Sequence, residues 1–514
     1  MNSWILISIY ILLSIFFYYY YLCSIQLNGY KIYKIIDNNN KKLLRFTLYN
    51  LFNSITFISI NIVIYYFDIQ YLFLSNMLYL LFFTLLLVKN KNNFNKTPLK
   101  FTNRLIRLYV SNILIFSLIL CLINFYFNYY ILILLPIIQL INLIFIVFIF
   151  YLTLPFEKLN NYRYIIKAEQ RFNNKNIIKI AITGSYAKSS VKNILTHILS
   201  AKYNTITTEK NYNTELGLCI SSNNITDKTE IFVAEFGARK QGDITKLCKI
   251  YNPQIAVITG ICNQHLETFK NINNIIKTKS EILANTKLAF FNGNNNYVTK
   301  MFDTFNNEKY ITFSRNCYVE DINYSNDSTT FTMVLYNEKI HCSTKLLGKS
   351  CIENILLSSL IAYKLGVPIQ DIQKQISTLE YIPHRLQIIK NNNLTIIDDS
   401  YNSNIVGINE ALFVLNLYNN TRVVLVSGMV ELGKNEKETN YNLGIQLSKN
   451  TDKIILIKTK QSQYILQALT DNNYPQNNIF IFNTINEAIC NFSHILDSRS
   501  VLLLMSDLPS NYSV

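Results

Sequence analysis

The chain has 514 residues, of which 50% are apolar, 13% aromatic and only 16% charged. That excludes a mainly disordered protein and, by length, a single small domain. The formal charge of +16 would by itself suit nucleic acid or an anionic membrane surface. More than half of the excess falls before residue 156, where eleven basic residues face only Asp37 and Asp68 among long apolar runs. A membrane surface is therefore the expected partner, and nucleic acid is not. The nine cysteines form no C-x-x-C pair and are odd in number, which fits neither a zinc site nor a disulfide framework and suits a reducing compartment.

Crossing a bilayer by helix takes roughly 20 apolar residues. Candidate runs lie at about 4–27, 48–67, 71–88, 106–127 and 129–152. The first lacks the basic start and small-residue cleavage site of a signal peptide, so it is expected to remain as an anchor. The polar connections 29–47 and 89–105 hold all the basic residues of this part except Arg107. By the positive-inside rule these loops are cytoplasmic, which puts the N-terminus outside and everything after Leu154 in the cytoplasm. The span interiors hold essentially no ionisable groups, so anchoring or partner binding is favoured over transport.

From about Ile177 the pattern changes. Short β-rich runs (IIKIAIT, EIFVAEF, AVITGI) alternate with helical periodicity, the mark of βαβ units and a parallel sheet. A second series begins near Leu394: LTIID, VVLVS, KIILI, IFIF and VLLLM, separated by helices at about 405–418, 436–449, 462–471 and 484–496. The expected fold class is α/β: a transmembrane domain of about five helices over 1–155, a central parallel-sheet domain over 156–393, and a Rossmann-like domain over 394–514.

Between the first strand and its helix stands Gly184-Ser185-Tyr186-Ala187-Lys188-Ser189-Ser190. In that context backbone N–H groups and the helix N-terminus can cradle a phosphate, Lys188 adds a positive charge, and the Ser189 hydroxyl can reach Mg²⁺. The loop is a short form with Ala187 where a second glycine is expected, and a plain strand-to-helix turn is the competing reading.

The motifs that follow decide between them. TTEKNYNTELG (207–217), VAEFGARKQGDI (233–244), ITGICNQHLETF (258–269), TKSEIL (278–283), DDSYNSN (398–404) and VSGMVELG (426–433) succeed one another along the chain. Together they resemble the Mur ligase family, in its D-alanyl-D-alanine-adding branch with an N-terminal membrane segment. The resemblance implies ATP and Mg²⁺ as cofactors, a muramoyl-tripeptide and D-alanyl-D-alanine as substrates, and an ADP-forming peptide ligation serving cell-wall synthesis. It implies Glu235 and His265 as Mg²⁺ ligands and Lys279 as a lysine carbamylated by CO₂, with Lys188, Lys279 and His265 as the catalytic set. It further implies Asn354 beside the adenine, Arg385 at the phosphates, Asp399 on the nucleotide, and Lys210, Asn213 and Thr214 on the substrate side. Membrane lipid and other membrane-embedded cell-wall proteins are the partners such an anchor implies.

Three departures stand out. Ala187 replaces the loop glycine, Ser350-Cys351 stand where the family has His-Asn, and Ile405 stands where it has Pro. Only about 25 residues separate the last apolar run from the loop, too few for a separate uridine-binding domain. Two alternatives follow: a tethered nucleotide-binding scaffold without turnover, and a folate polyglutamylating ligase, which shares the loop and lysine chemistry but lacks DDSYNSN.

Overall fold

The structure is a computed structural model that describes residues 2–27, 30, 41–68, 71–94, 100–127, 131–173, 176–305, 310–312, 317–391, 394–401, 405–497 and 499–505. Asn402, Ser403 and Asn404 of the DDSYNSN motif lie outside the described residues. The chain divides into two compact units, residues 1–161 and 162–508, apart from a few terminal residues.

The first unit contains helices α1 (Asn2–Leu27), α2 (Lys41–Phe67), α3 (Tyr71–Phe94), α4 (Asn103–Phe127) and the greater part of α5 (Ile131–Asn173). Among the described residues, three stretches are long and apolar enough to cross a membrane: Thr47–Phe67, Asn103–Tyr126 and Ile144–Asn173. The large apolar side chains of this unit divide between an exposed and a buried set. Phe52, Val63, Leu114 and Phe148 face outward, whereas Tyr10, Tyr79, Phe83, Phe116 and Ile149 fill the interior. Some buried polar groups of this interior pair across helices: the Ser75 hydroxyl donates to Asn61 Oδ1 at 2.6 Å, and the Ser54 and Tyr79 hydroxyls meet at 2.8 Å. Such bonds join apolar helices where water offers no alternative partner. Arg107 makes a bidentate pair with Glu157, at 2.7 and 2.8 Å.

The second unit is built on two six-stranded sheets. The first has the order β2-β3-β1-β4-β5-β6 and is parallel throughout. Its strands are β1 (Ile178–Thr183), β2 (Thr205–Thr207), β3 (Ile231–Glu235), β4 (Ile255–Ile258), β5 (Leu288–Phe291) and β6 (Tyr310–Thr312). Near-continuous apolar runs make these strands because both faces are covered. On one face Ile180, Ile182 and Val233 pack against Val191, Ile194 and Ile198 of α6 (Lys188–Leu199) and against Ile355 and Leu360 of a later helix. On the other, Ala181, Phe232 and Ala234 pack against Leu247, Tyr251 and the end of α5 through Ala168 and Phe172.

Because β3 and β4 flank β1 on opposite sides, the strand order reverses at the C-terminal end of β1, where a ligand crevice opens in such sheets. The register sets the strand ends level there, with Ile182 opposite Glu235 and Thr183 opposite Ile258. A three-stranded antiparallel sheet follows: β7 (Cys317–Tyr324), β8 (Thr329–Leu335) and β9 (Glu338–Thr344).

The second large sheet has the order β10-β11-β15-β12-β13-β14. Each run expected from the sequence is a strand: β11 (Leu394–Asp398), β12 (Thr421–Val426), β13 (Lys453–Ile457), β14 (Ile479–Phe482) and β15 (Ser500–Met505). To these it adds β10 (Gln387–Asn391), antiparallel to β11. The helix expected over 484–496 is broken at Asn491 into two short pieces, Ile485–Cys490 and Phe492–Ile495.

Phe232 is fully buried, its ring edge-on to Phe172 and Tyr251 at 5.2 and 5.7 Å. Replacing it by alanine should destabilise the second unit by about 3–5 kcal/mol, read as a lowered denaturation midpoint of the detergent-solubilised chain.

Candidate active site

The loop after β1 is shaped by close approach. Gly184 lies against the end of β4, where a Cβ would stand 2.1 Å from Thr259 Oγ1, so no side chain fits there. The Ser185 amide donates to Gly260 O at 2.6 Å and its hydroxyl to Cys262 O at 3.2 Å. The Tyr186 ring covers Gly260, and its hydroxyl accepts from Asn295 at 3.1 Å. Ala187 has φ 62°, the left-handed conformation that glycine adopts freely and that costs an L-residue on the order of 1–2 kcal/mol. The departure at this position therefore carries strain.

Helix α6 starts at Lys188, and its first turn supplies three polar side chains. Lys188 Nζ donates back to Gly184 O and Ser185 O at 3.0 and 3.1 Å. The Ser189 hydroxyl donates to Glu235 Oε2 at 2.8 Å, and Ser190 follows it in the helix. Glu235, at the tip of β3, is 3% exposed and also accepts from Asn213 Nδ2 at 3.2 Å.

Lys279, near the end of the helix Ile272–Ser280, is 3% exposed. Burial and the neighbouring Lys188 push its pKa down to about 7, while Glu235, Asp243 and Glu281 oppose the shift. Burial also lowers the pKa of Lys188; Glu235 opposes this and Arg385 adds to it. Lys188, Glu235 and Lys279, distant in sequence, are thus within electrostatic reach of one another. His265 has φ 53° and starts the short helix Leu266–Phe269; its Nδ1 is engaged by the Glu431 carboxylate.

The segments beside the second large sheet and the helix Lys349–Lys364 hold the remaining candidates. The Arg385 guanidinium lies 4.4 Å from the centre of the Tyr401 ring. Asp399 Oδ1 accepts from the Leu386 amide at 3.3 Å, and burial raises its pKa to about 7, with Arg385 opposing. Asn354 is buried on the helix Lys349–Lys364. The neighbouring Glu353 accepts from Asn292 and Asn294 at 3.4 and 2.9 Å. At Ser350-Cys351 the Ser350 amide donates to Glu410 at 2.9 Å, and burial pushes the Cys351 thiol up to about 12. Ile405 opens the helix Ile405–Leu415.

The substrate-side candidates separate. Asn213 reaches Glu235, and Lys210 lends its carbonyl to Lys192 at 2.7 Å while remaining exposed. Thr214 is an N-cap whose hydroxyl accepts from the Gly217 amide at 3.4 Å, a local structural task.

Sequence reasoning assigned no role to Lys192, which is 2% exposed and donates to Thr208 O and Lys210 O at 2.8 and 2.7 Å, with Glu235 3.8 Å away. Its position one helical turn after Lys188 was the available signal. Glu431 was likewise unassigned, although its motif was noted.

Among the described residues no three His, Cys, Asp or Glu side chains cluster as a metal cage. The arrangement suits Mg²⁺ bound in another way, through one carboxylate, a hydroxyl and phosphate oxygens. Glu235 and Ser189 are placed for that, and a carbamate on Lys279 would add an oxygen donor.

A glycine-bearing loop at the switch point of a parallel sheet, followed by a second α/β domain, gives the chain the architecture of a phosphate-loop protein with an added α/β domain. Residues 182–362 match the Mur ligase middle domain, and residues 384–508 match the Mur ligase glutamate ligase domain. Through these two matches, which together cover more than half of its length, the chain belongs to the Mur ligase family. The UDP-N-acetylmuramoyl-tripeptide--D-alanyl-D-alanine ligase of Buchnera aphidicola is 33% identical over 269 residues, 51% of this chain and 58% of that protein. The Escherichia coli protein of the same name is 29% identical over 52% of this chain and 61% of its own length. The chain thus spans about three fifths of these relatives. Among solved structures, MurF from Acinetobacter baumannii has a TM-score of 0.62 at 23% identity, covering 67% of this chain and 77% of that one. MurF from Thermotoga maritima in complex with ADP has a TM-score of 0.58 at 23% identity, covering 68% and 80%. At these identities the likeness concerns the fold.

Two measurements test the site. Lys279 has a folded pKa of about 7 against an unfolded value of about 10.4, so between these pH values the unfolded chain binds the extra proton and stability rises with pH. In CO₂-free buffer the melting temperature of the native chain should therefore gain on that of Lys279→Met from pH 7 to pH 10. Separately, Ala187→Gly should stabilise the second unit by about 1 kcal/mol by removing the left-handed strain, visible as a raised melting temperature.

Proposed function

We propose that the protein is an ATP-dependent, ADP-forming peptide ligase. The observation that carries this reading is the charge balance around the loop. Lys188, Lys279 and Arg385 come from three separate segments; Arg385 acts against the charge on Lys188 and Lys188 against that on Lys279, with Glu235 opposing both effects. Mutual repulsion of this kind favours a strongly anionic occupant, and the polyphosphate of ATP, held at the α6 N-terminus, supplies it.

In this reading Glu235 and Ser189 hold Mg²⁺, with His265 as a further ligand, and the ion neutralises phosphate charge when bound. Lys279, with a pKa near 7, has a substantial neutral fraction at physiological pH. That is the form whose nitrogen attacks CO₂, releasing a proton and leaving a carboxylate-like group. Lys188 and Arg385 stabilise the phosphoryl group passing to a substrate carboxylate. An incoming amine then displaces phosphate and forms the amide.

Asp399 and Asn354 orient the nucleotide, and Asn213 and Lys210 line the acceptor side. The named relatives support a muramoyl-tripeptide as acceptor and D-alanyl-D-alanine as amine. The apolar helices of the first unit support attachment to a membrane with the catalytic domains on its cytoplasmic face, and a lipid-linked muramoyl peptide is then an accessible acceptor.

The full chain, solubilised in detergent with ATP and Mg²⁺, should release phosphate only when UDP-N-acetylmuramoyl-tripeptide and D-alanyl-D-alanine are both present, with a condensed product of matching mass. Phosphate release indifferent to both substrates, or none in a preparation that binds ADP, would overturn the reading.

A further inference from the structure

The contact between His265 and Glu431 joins the two large domains at a candidate metal ligand. His265 follows β4 in the middle domain; Glu431 lies in the loop after β12 of the C-terminal domain, 166 residues later. Both residues hold the left-handed backbone, φ 53° and 61°, a conformation that persists in non-glycine residues only when the surroundings over-determine it. The other carboxylate oxygen of Glu431 lies 4.0 Å from Arg239 Nη2, also of the middle domain. The same loop approaches the Leu266–Glu267 backbone at Gly433. One carboxylate from the C-terminal domain thus contacts two separate segments of the middle domain. It takes Nδ1 of His265, which leaves Nε2 as the ring nitrogen available to an ion.

We propose that Glu431 is a positioning residue that fixes the ring orientation and tautomer of His265, so that divalent-cation affinity depends on this loop of the C-terminal domain. The inference rests on reading His265 as a metal ligand. A histidine that binds metal through one nitrogen is commonly oriented by a carboxylate on the other, and loss of that partner lowers metal affinity about 10- to 100-fold. Here the partner belongs to a different domain from the ligand. Docking of the domains would therefore complete the metal site.

The test uses the full chain in detergent and reads Mn²⁺ binding by electron paramagnetic resonance with a saturating non-hydrolysable ATP analogue. ADP binding in EDTA serves as the check of folding. Glu431→Ala should weaken Mn²⁺ about tenfold or more with metal-free ADP binding unchanged. Glu431→Gln, whose amide oxygen still accepts from Nδ1–H, should recover most of the loss; it carries the test, by a deficit smaller than that of Glu431→Leu, should the alanine variant fail to bind ADP. Native Mn²⁺ affinity in Glu431→Ala or Glu431→Leu, with His265→Ala impaired, would overturn this proposal and leave the ligand reading intact. Native affinity in His265→Ala would overturn both.

Discussion

Everything in the site depends on a carboxylate buried at the end of a strand. Glu235 is 3% exposed, and an ion taken out of water costs several kcal/mol unless its lone pairs are occupied. Ser189 and Asn213 occupy lone pairs, and the Lys192 ammonium stands 3.8 Å away as counter-charge. Each comes from a different part of the middle domain: the first turn of α6, the loop after β2, and the second turn of α6. Satisfying one charge therefore fixes the phosphate loop's helix against the loop proposed to meet the acceptor.

The same logic explains why cations gather where repulsion should scatter them. Lys279 is held by burial, and the half-buried Lys188 is held by its bonds to the Gly184 and Ser185 carbonyls, within electrostatic reach of Arg385. Strain accompanies this arrangement. Ala187, Lys210, His265, His384, Leu386 and Glu431 all adopt positive φ, and each belongs to a segment that borders the proposed site. Such backbone is retained where the surrounding fold enforces it.

The helical unit follows different physics. Among its buried polar side chains Ser54, Tyr79, Ser75 and Asn61 bond across helices, and many of its exposed side chains are large and apolar. The arrangement suits surroundings that do not compete for hydrogen bonds.

The sequence by itself determined the apolar helices, the alternation of strands and helices after Ile177, and the strand-turn-helix context of the loop at Gly184, because each depends on local periodicity or on a short run of residues. It also brought Glu235, Lys279 and Arg385 forward, through motif order. Other features were decided only in three dimensions. The last strand, β15, inserts between β11 and β12, an order that no local pattern encodes, and β10 adds an antiparallel edge. Lys192 reads as an ordinary helical lysine until burial gives it two carbonyl acceptors and Glu235 as an ion-pair neighbour. Glu431 acquires its partner only when two domains meet. Pairing across 166 residues depends on which surfaces the packed sheets bring together, and that information is spread over the whole core.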